Sequence, residues 1–266
     1  PTIYPAMIGE VSRDIRPGAW VDVYDKNGRM FGNGLFHPTA RVPLRMVHHG
    51  DAPTTDALLH QLLDRAIDLR LGPLGLPGTT DAFRVVHSDG DGLGGLIVDK
   101  FGDVLSVQVH SLGIWQRLKP MLARLHERLG TQRTLVHVDP AIARQEGIRV
   151  QDHPSDAVRA IKIREHGIRF EVDFATGHKT GFFCDQRENR KRLARWTQGK
   201  RVLALGEANA VDRFIPDQAG FYEIRGAGGQ KWLAVNVDTR ESDVTHMGEV
   251  QVQRWQALKA PPAQAP

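Results

Sequence analysis

A single cysteine, Cys184, occurs in 266 residues. It cannot form an internal disulfide, and it cannot build a cysteine-based zinc site or an iron–sulfur cluster. No window holds the roughly 18 consecutive apolar residues that a transmembrane helix needs. The opening Pro-Thr-Ile-Tyr-Pro has neither a basic n-region nor an apolar h-region. No secretory signal is therefore expected, and a reducing cytoplasm is the expected compartment. Twelve histidines are present without an H-E-x-x-H or any carboxylate–histidine cluster, so no metal site is expected. A G-x-S-x-G elbow and a Walker A loop are also missing, which removes the usual serine-hydrolase and P-loop readings.

What is present is ordinary globular material, 41% hydrophobic and 25% charged, which argues against wholesale disorder. The length allows one large domain or two smaller ones. Gly and Pro together number 42, a loop-rich composition. The net charge of +4 is modest, but it is unevenly placed. Residues 179–201 hold eight basic side chains and two acids, a charge of +6 against −2 for the remainder. A local cationic stretch is the footprint expected for a polyanion such as RNA, and equally the pattern of a solvated helix face.

Along the chain, Trp20–Tyr24, Met30–Phe36 and Arg41–Val47 read as short strands around the turn Asp25-Lys-Asn-Gly28. They predict a small β-barrel over residues 1–50. Residues 51–80 read as a helix, Thr54 to Leu71, with Leu58, Leu59, Leu62, Leu63, Ala66 and Ile67 on one face, followed by a Gly/Pro linker. Residues 81–175 read as a central α/β domain. Its elements are a strand at Phe83–His87, a hairpin at Leu96–Val109, one helix from Leu112 to Leu129, a strand at Arg133–Val138 and a hairpin at Ile161–Asp173. A helix from about Asp185 to Trp196 and a buried strand at Lys200–Leu205 follow. Beyond residue 205 lie a hairpin, Phe221–Arg225 with Trp232–Val237, a last helix at Val250–Leu258, and a Pro/Ala-rich end. The fold class is α/β of the α+β kind, and no internal repeat is found.

Gly90-Asp-Gly-Leu-Gly-Gly95 matches G-x-G-x-x-G letter for letter. A dinucleotide site needs that loop to open a helix, whereas here a strand follows, so a tight strand connection is expected. In Gly177-His-Lys-Thr-Gly-Phe-Phe-Cys-Asp185, Phe182 and Phe183 either stack on a base or fill the core under the loop. Lys179, Arg187, Arg190, Lys191 and Arg195 are the candidate phosphate contacts, with Arg41 and Arg45 on the barrel as a second basic surface. Cys184 is expected as a small buried residue.

Several of these stretches carry a resemblance. Val21–Gly28 with Gly32–Pro38, Asp81–His87, Asp89–Asp103, Ile163–Phe170 and, most specifically, Gly177-His-Lys-Thr-Gly-Phe-Phe-Cys-Asp-Gln-Arg-Glu-Asn-Arg190 resemble the class I S-adenosylmethionine-dependent large-subunit rRNA cytosine-C5 methyltransferases. The resemblance spans about residues 5–205. It implies an RNA-binding PUA domain, a strand-strand-helix-strand-strand central domain and the start of a Rossmann-like methyltransferase domain at 176–205. It also implies S-adenosylmethionine as cofactor, bordered by the 177–190 loop with Phe183, Asp185, Gln186 and Asn189, and ribosomal RNA as partner.

The chain departs from that pattern after Leu205. Ala204-Leu-Gly-Glu-Ala-Asn-Ala-Val-Asp212 has one glycine where the family carries an acidic, Gly-rich cofactor loop. The family's D-P-P motif and catalytic cysteine have no counterpart, so no catalytic residue is assigned. Only 66 residues remain from Arg201, against well over about 120 for a doubly wound sheet. Residues 206–266 are read as an atypical tail. There, Asp217–Arg225 with Ala234-Val-Asn-Val-Asp-Thr-Arg-Glu-Ser-Asp243 resembles a hairpin of von Willebrand-type aerotolerance membrane proteins. The expected function is an RNA-binding protein of the methyltransferase family lacking a complete catalytic domain. The alternatives are an active methyltransferase with a diverged cofactor loop and a non-enzymatic protein-interaction module. The unpaired edge of Lys200–Leu205 leaves a homo-oligomer open.

Overall fold

The computed structural model describes residues 2–51, 55–175, 182–198, 220–226 and 229–235. The chain divides into two units, Pro1–Arg201 and Val202–Pro266.

In the first unit, β1 (Thr2–Ile3), β2 (Ala19–Tyr24), β3 (Met30–Phe36) and β4 (Leu44–His49) form one antiparallel sheet in the order β1-β4-β3-β2. Among the described residues the sheet is open, which corrects the expected closed barrel: β1 has two residues and pairs with β4, and no described strand joins it to β2. Gly32 and Gly34 let β3 press against β4, where a Cβ would stand 2.2 Å from the His48 carbonyl oxygen or 2.3 Å from that of Arg45. A bulge lies between them at Asn33/Gly34.

Helix α1 (Asp56–Leu71) buries Leu59, Leu63, Ala66 and Ile67, the stripe its 3.6-residue spacing dictates. It covers a four-stranded sheet made of β5 (Ala82–His87), β6 (Leu96–Phe101), β7 (Val104–Val109) and, beyond two intervening helices, β8 (Arg133–His137), in that order. β7 and β8 are parallel, as a crossover connection requires. The crossover was expected as one helix, but it is two, α2 (Leu112–Trp115) and α3 (Leu118–Leu129). Pro120 accounts for the break: in a continuous helix its ring would meet the Gln116 carbonyl, four residues back, and leave it unbonded. Starting a new helix at Leu118 puts Pro120 in a first turn, where its missing N–H costs nothing. Leu118, Met121 and Leu125 join the stripe of α1 in the main core, on Val85, Val98 and Val107.

A helix not anticipated, α4 (Pro140–Glu146), follows β8. The Asp139 carboxylate caps it by accepting from the Ala141 and Ile142 N–H groups, and Pro140 occupies its first position. β9 (Ala160–Glu165) and β10 (Ile168–Asp173) then pair as a separate hairpin. It joins the main sheet's side through a bridge between Glu165 and Thr80. A 3-10 turn over Cys184–Gln186 leads into α5 (Arg187–Thr197). In the second unit, β11 (Gly220–Gly226) and β12 (Gly229–Val235) form an antiparallel hairpin in the register Tyr222↔Leu233. The expected strand at Lys200–Leu205 and helix at Val250–Leu258 lie outside the described residues. Among those described, no helix is long and apolar enough to cross a membrane.

Candidate nucleic-acid interface

The segment 182–198 is anchored by its own apolar residues. Cys184 is 8% exposed, in a small cluster with Ala82, Phe101, Ile163 and Val172, on which Phe170 and Phe182 pack. Burial, reinforced by the Asp99 charge, pushes the Cys184 thiol well above its usual range, so the residue is an inert core group. The two phenylalanines differ in burial. Phe182 fills core, its ring 5.5 Å from that of Phe170, whereas Phe183 is 43% exposed.

Arg190 turns inward. Its Nε and Nη2 each donate to the Glu165 carboxylate at 2.7 Å, its Nη1 donates to the Phe183 carbonyl at 2.9 Å, and the guanidinium lies 4.3 Å over the Phe182 ring. The sequence marked Arg190 as a phosphate contact; the geometry commits it to the protein. Charge alone could not reveal this, because the deciding partner, Glu165, lies 25 residues away on β9.

Of the other basic residues of α5, Arg187, Lys191 and Arg195 sit one turn apart, the spacing that shares a helix side, while Arg192 lies off that row. Arg187 pairs with Glu188 at 3.2 Å and holds the Glu188 carboxyl below its usual range. Lys191 and Arg195 line a groove of about 300 Å³ between α5 and the β9–β10 turn, with His166, Ile168 and Gln198. Phe183, Asp185, Gln186 and Asn189 are all exposed around the start of α5, and the Asn189 amide donates to Gln186 Oε1 at 2.7 Å. Lys179 lies outside the described residues.

Arg41 and Arg45 are brought to a different place. They line a second cleft, of about 470 Å³, with Ser88, Gly95, His110 and Glu146. Here the N-terminal sheet meets the central domain, and Arg45 Nη2 donates to the His110 carbonyl at 2.9 Å. Sequence reasoning missed His110 and Ser88; the signal for the latter was the Gly90–Gly95 motif, whose first two residues end a 3-10 turn over Ser88–Asp91 and whose last four form the turn that enters β6. Among the described residues no three His, Cys, Asp or Glu side chains cluster as metal ligands.

Residues 1–49 match the family model of the PUA-like domain. A ribosomal RNA large subunit methyltransferase of Deinococcus radiodurans is 34% identical over 213 residues, which are 76% of this chain and 52% of the relative. The ribosomal RNA large subunit methyltransferase I of Erwinia tasmaniensis is 27% identical over 210 residues, with the same two coverages. The chain spans about half the length of the curated relatives it matches. A putative SAM-dependent methyltransferase from Streptococcus mutans superposes with a TM-score of 0.53 at 19% identity, over 67% of this chain and 46% of that one. A putative methyltransferase complexed with SAH gives the same TM-score and identity over 67% and 45%. At that identity the likeness is one of fold.

Proposed function

We propose that this chain is the RNA-engaging part of a large-subunit rRNA methyltransferase that uses S-adenosylmethionine. The observation that carries the reading is the row Arg187, Lys191 and Arg195 on an anchored helix, in a chain whose first 49 residues match a PUA-like domain. An anchored cationic row can follow a phosphate backbone with little ordering cost, because the Phe182, Cys184 and Arg190 contacts have already fixed the helix. The names of the relatives supply the RNA class. The cytosine C5 position as target rests on the sequence resemblance alone, as does the likeness of residues 217–243 to aerotolerance membrane proteins.

S-adenosylmethionine is the methyl donor this reading implies. Phe183, Asp185, Gln186 and Asn189 offer one exposed aromatic ring and three polar side chains side by side, which suits one wall of an adenosyl site. All four are exposed, so they do not enclose a ligand by themselves. On this reading the described residues hold RNA, and methyl transfer draws on further structure.

Fluorescence anisotropy with a short single-stranded RNA tests the proposal. Saturable binding that weakens as salt rises is expected; no binding at low salt would contradict it.

A further inference from the structure

The loop Gly90–Gly95 lacks the helix that a dinucleotide fingerprint requires, yet its last residue, Gly95, lines the second cleft beside Ser88. Ser88 adopts a left-handed φ of 45°, a conformation uncommon outside glycine and enriched at ligand sites. Its hydroxyl accepts from the Gly95 N–H at 2.9 Å. Gly95 itself has φ 92°, and a Cβ there would stand 2.9 Å from Ser111 Cβ and 3.4 Å from Arg45 Nε. A Cβ on Gly94 would stand 2.7 Å from Asp89 Oδ1 and 3.7 Å from Arg45 Cβ. The stem of Arg45 is therefore packed on two buried glycines.

Arg45 is under-partnered for a largely buried cation. Burial lowers its pKa, an effect opposed by the charges of Glu146 and Asp89 and by Tyr4. Its one hydrogen bond among the described residues goes to the His110 carbonyl. The acid with the larger effect, Glu146, is only 4% exposed and accepts from the Leu112 N–H at 2.9 Å. A guanidinium has five N–H donors, so most of its capacity is unused. His110 lines the same cleft with its Nε2 buried and unbonded. Burial, with Arg45 adding to it, lowers the pKa of that ring, so at neutral pH it offers an uncharged imidazole. Arg41 reaches the cleft from the side of the N-terminal sheet, and Gln145 and Glu146 from α4. The volume of about 470 Å³ is of small-ligand size, within roughly 300–1,000 Å³.

We infer that this cleft is a subsite for one nucleotide of a single-stranded RNA, with a backbone phosphate on Arg45 and Arg41 and the base toward His110, Gln145 and Glu146. The inference rests on the RNA-binding reading and adds a location and a polarity to it. A fork of unused N–H donors suits a phosphate, which accepts two at once. The Glu146 carboxylate only accepts, whereas Gln145 can donate or accept, so it is Glu146 that favours a base bearing an exocyclic amine over uracil.

The test uses the full chain with Arg45→Gln and Arg41→Ala. The probes are a short single-stranded RNA, cytidine 5′-monophosphate, uridine 5′-monophosphate and cytidine. Each variant should weaken RNA binding about tenfold, as expected when one charge-assisted hydrogen bond is removed. Each should also flatten the log–log salt slope by about 0.7. In the wild type, the His110 ring NMR signal should shift with cytidine monophosphate, less with uridine monophosphate, and not with cytidine. If Arg45→Gln fails to fold, the exposed Arg41→Ala and the His110 signal decide the matter. Wild-type RNA binding with unchanged affinity and slope in folded variants would overturn the subsite while leaving RNA binding intact. Absence of RNA binding by the wild type would overturn the parent reading. A His110 response to the mononucleotide in that case would mark a free-nucleotide site and overturn the RNA assignment.

Discussion

Arg190 of α5 grips Glu165 of β9 through two hydrogen bonds of 2.7 Å, the carboxylate being 2% exposed. This pair fixes the helix that carries Arg187, Lys191 and Arg195 to the central domain. Removing one partner of a buried pair leaves a charge without compensation, which costs about 3–5 kcal/mol. Arg190→Ala should therefore lower stability by about 3 kcal/mol in urea unfolding. It should also raise hydrogen exchange in 182–198 before that of the main sheet.

Cys184 gives a chemical reading of the same anchor. The folded state raises its pKa above the usual thiol value of about 8.5. The unfolded chain therefore ionises first as pH rises, so the contribution of Cys184 to stability is complete below that value and is lost above it. The stability difference between wild type and Cys184→Ala should be constant from about pH 6 to 8 and shrink toward pH 10. Labelling of the native thiol by a disulfide reagent should be slow at about pH 8 and fast in urea; rapid native labelling would show that the segment does not stay docked.

Gly95 and Gly28 separate close approach from backbone conformation. Both have positive φ, 92° and 74°, but a Cβ at Gly28 meets nothing within 4 Å, whereas one at Gly95 meets Ser111 Cβ at 2.9 Å. Gly28→Ala should cost about 1 kcal/mol, the left-handed penalty alone. Gly95→Ala should cost more, about 2–3 kcal/mol, and should shift the His110 ring signal as Arg45 is displaced. Equal costs would mean that the packing around Gly95 relaxes freely.

The elements legible in the sequence are those with local causes. The β6–β7 hairpin turns at Gly102, where φ is 54°, and α1 shows its stripe in the spacing of its leucines. The signals for α4 were also local, the Asp139–Pro140 start and Gly147 just past the end, and went unused because the helix has only seven residues. Pro120 was a local signal for the break between α2 and α3, although a single helix from Leu112 to Leu129 was expected. What the sequence hid depends on distant partners. Arg190 looks like Lys191 in composition, and only Glu165 on β9 sets them apart. The openness of the first sheet likewise depends on β1 being too short to bridge to β2, which alternation within single strands does not reveal.

The salt dependence of RNA binding tests the central claim most directly. Arg187, Lys191 and Arg195 are replaced together by Gln, with Arg190 left in place so that the helix stays anchored. The exposed Arg195 charge contributes little to stability, and Gln keeps part of the packed stem of Arg187, which is 18% exposed and paired with Glu188, so the thermal midpoint should move little. The log–log salt slope should become about two units less steep, at roughly 0.7 for each single-strand phosphate no longer neutralised. An unaltered slope in a fully folded triple variant would show that this face of α5 touches no RNA, and the account of the helix as the RNA-tracking element would be wrong.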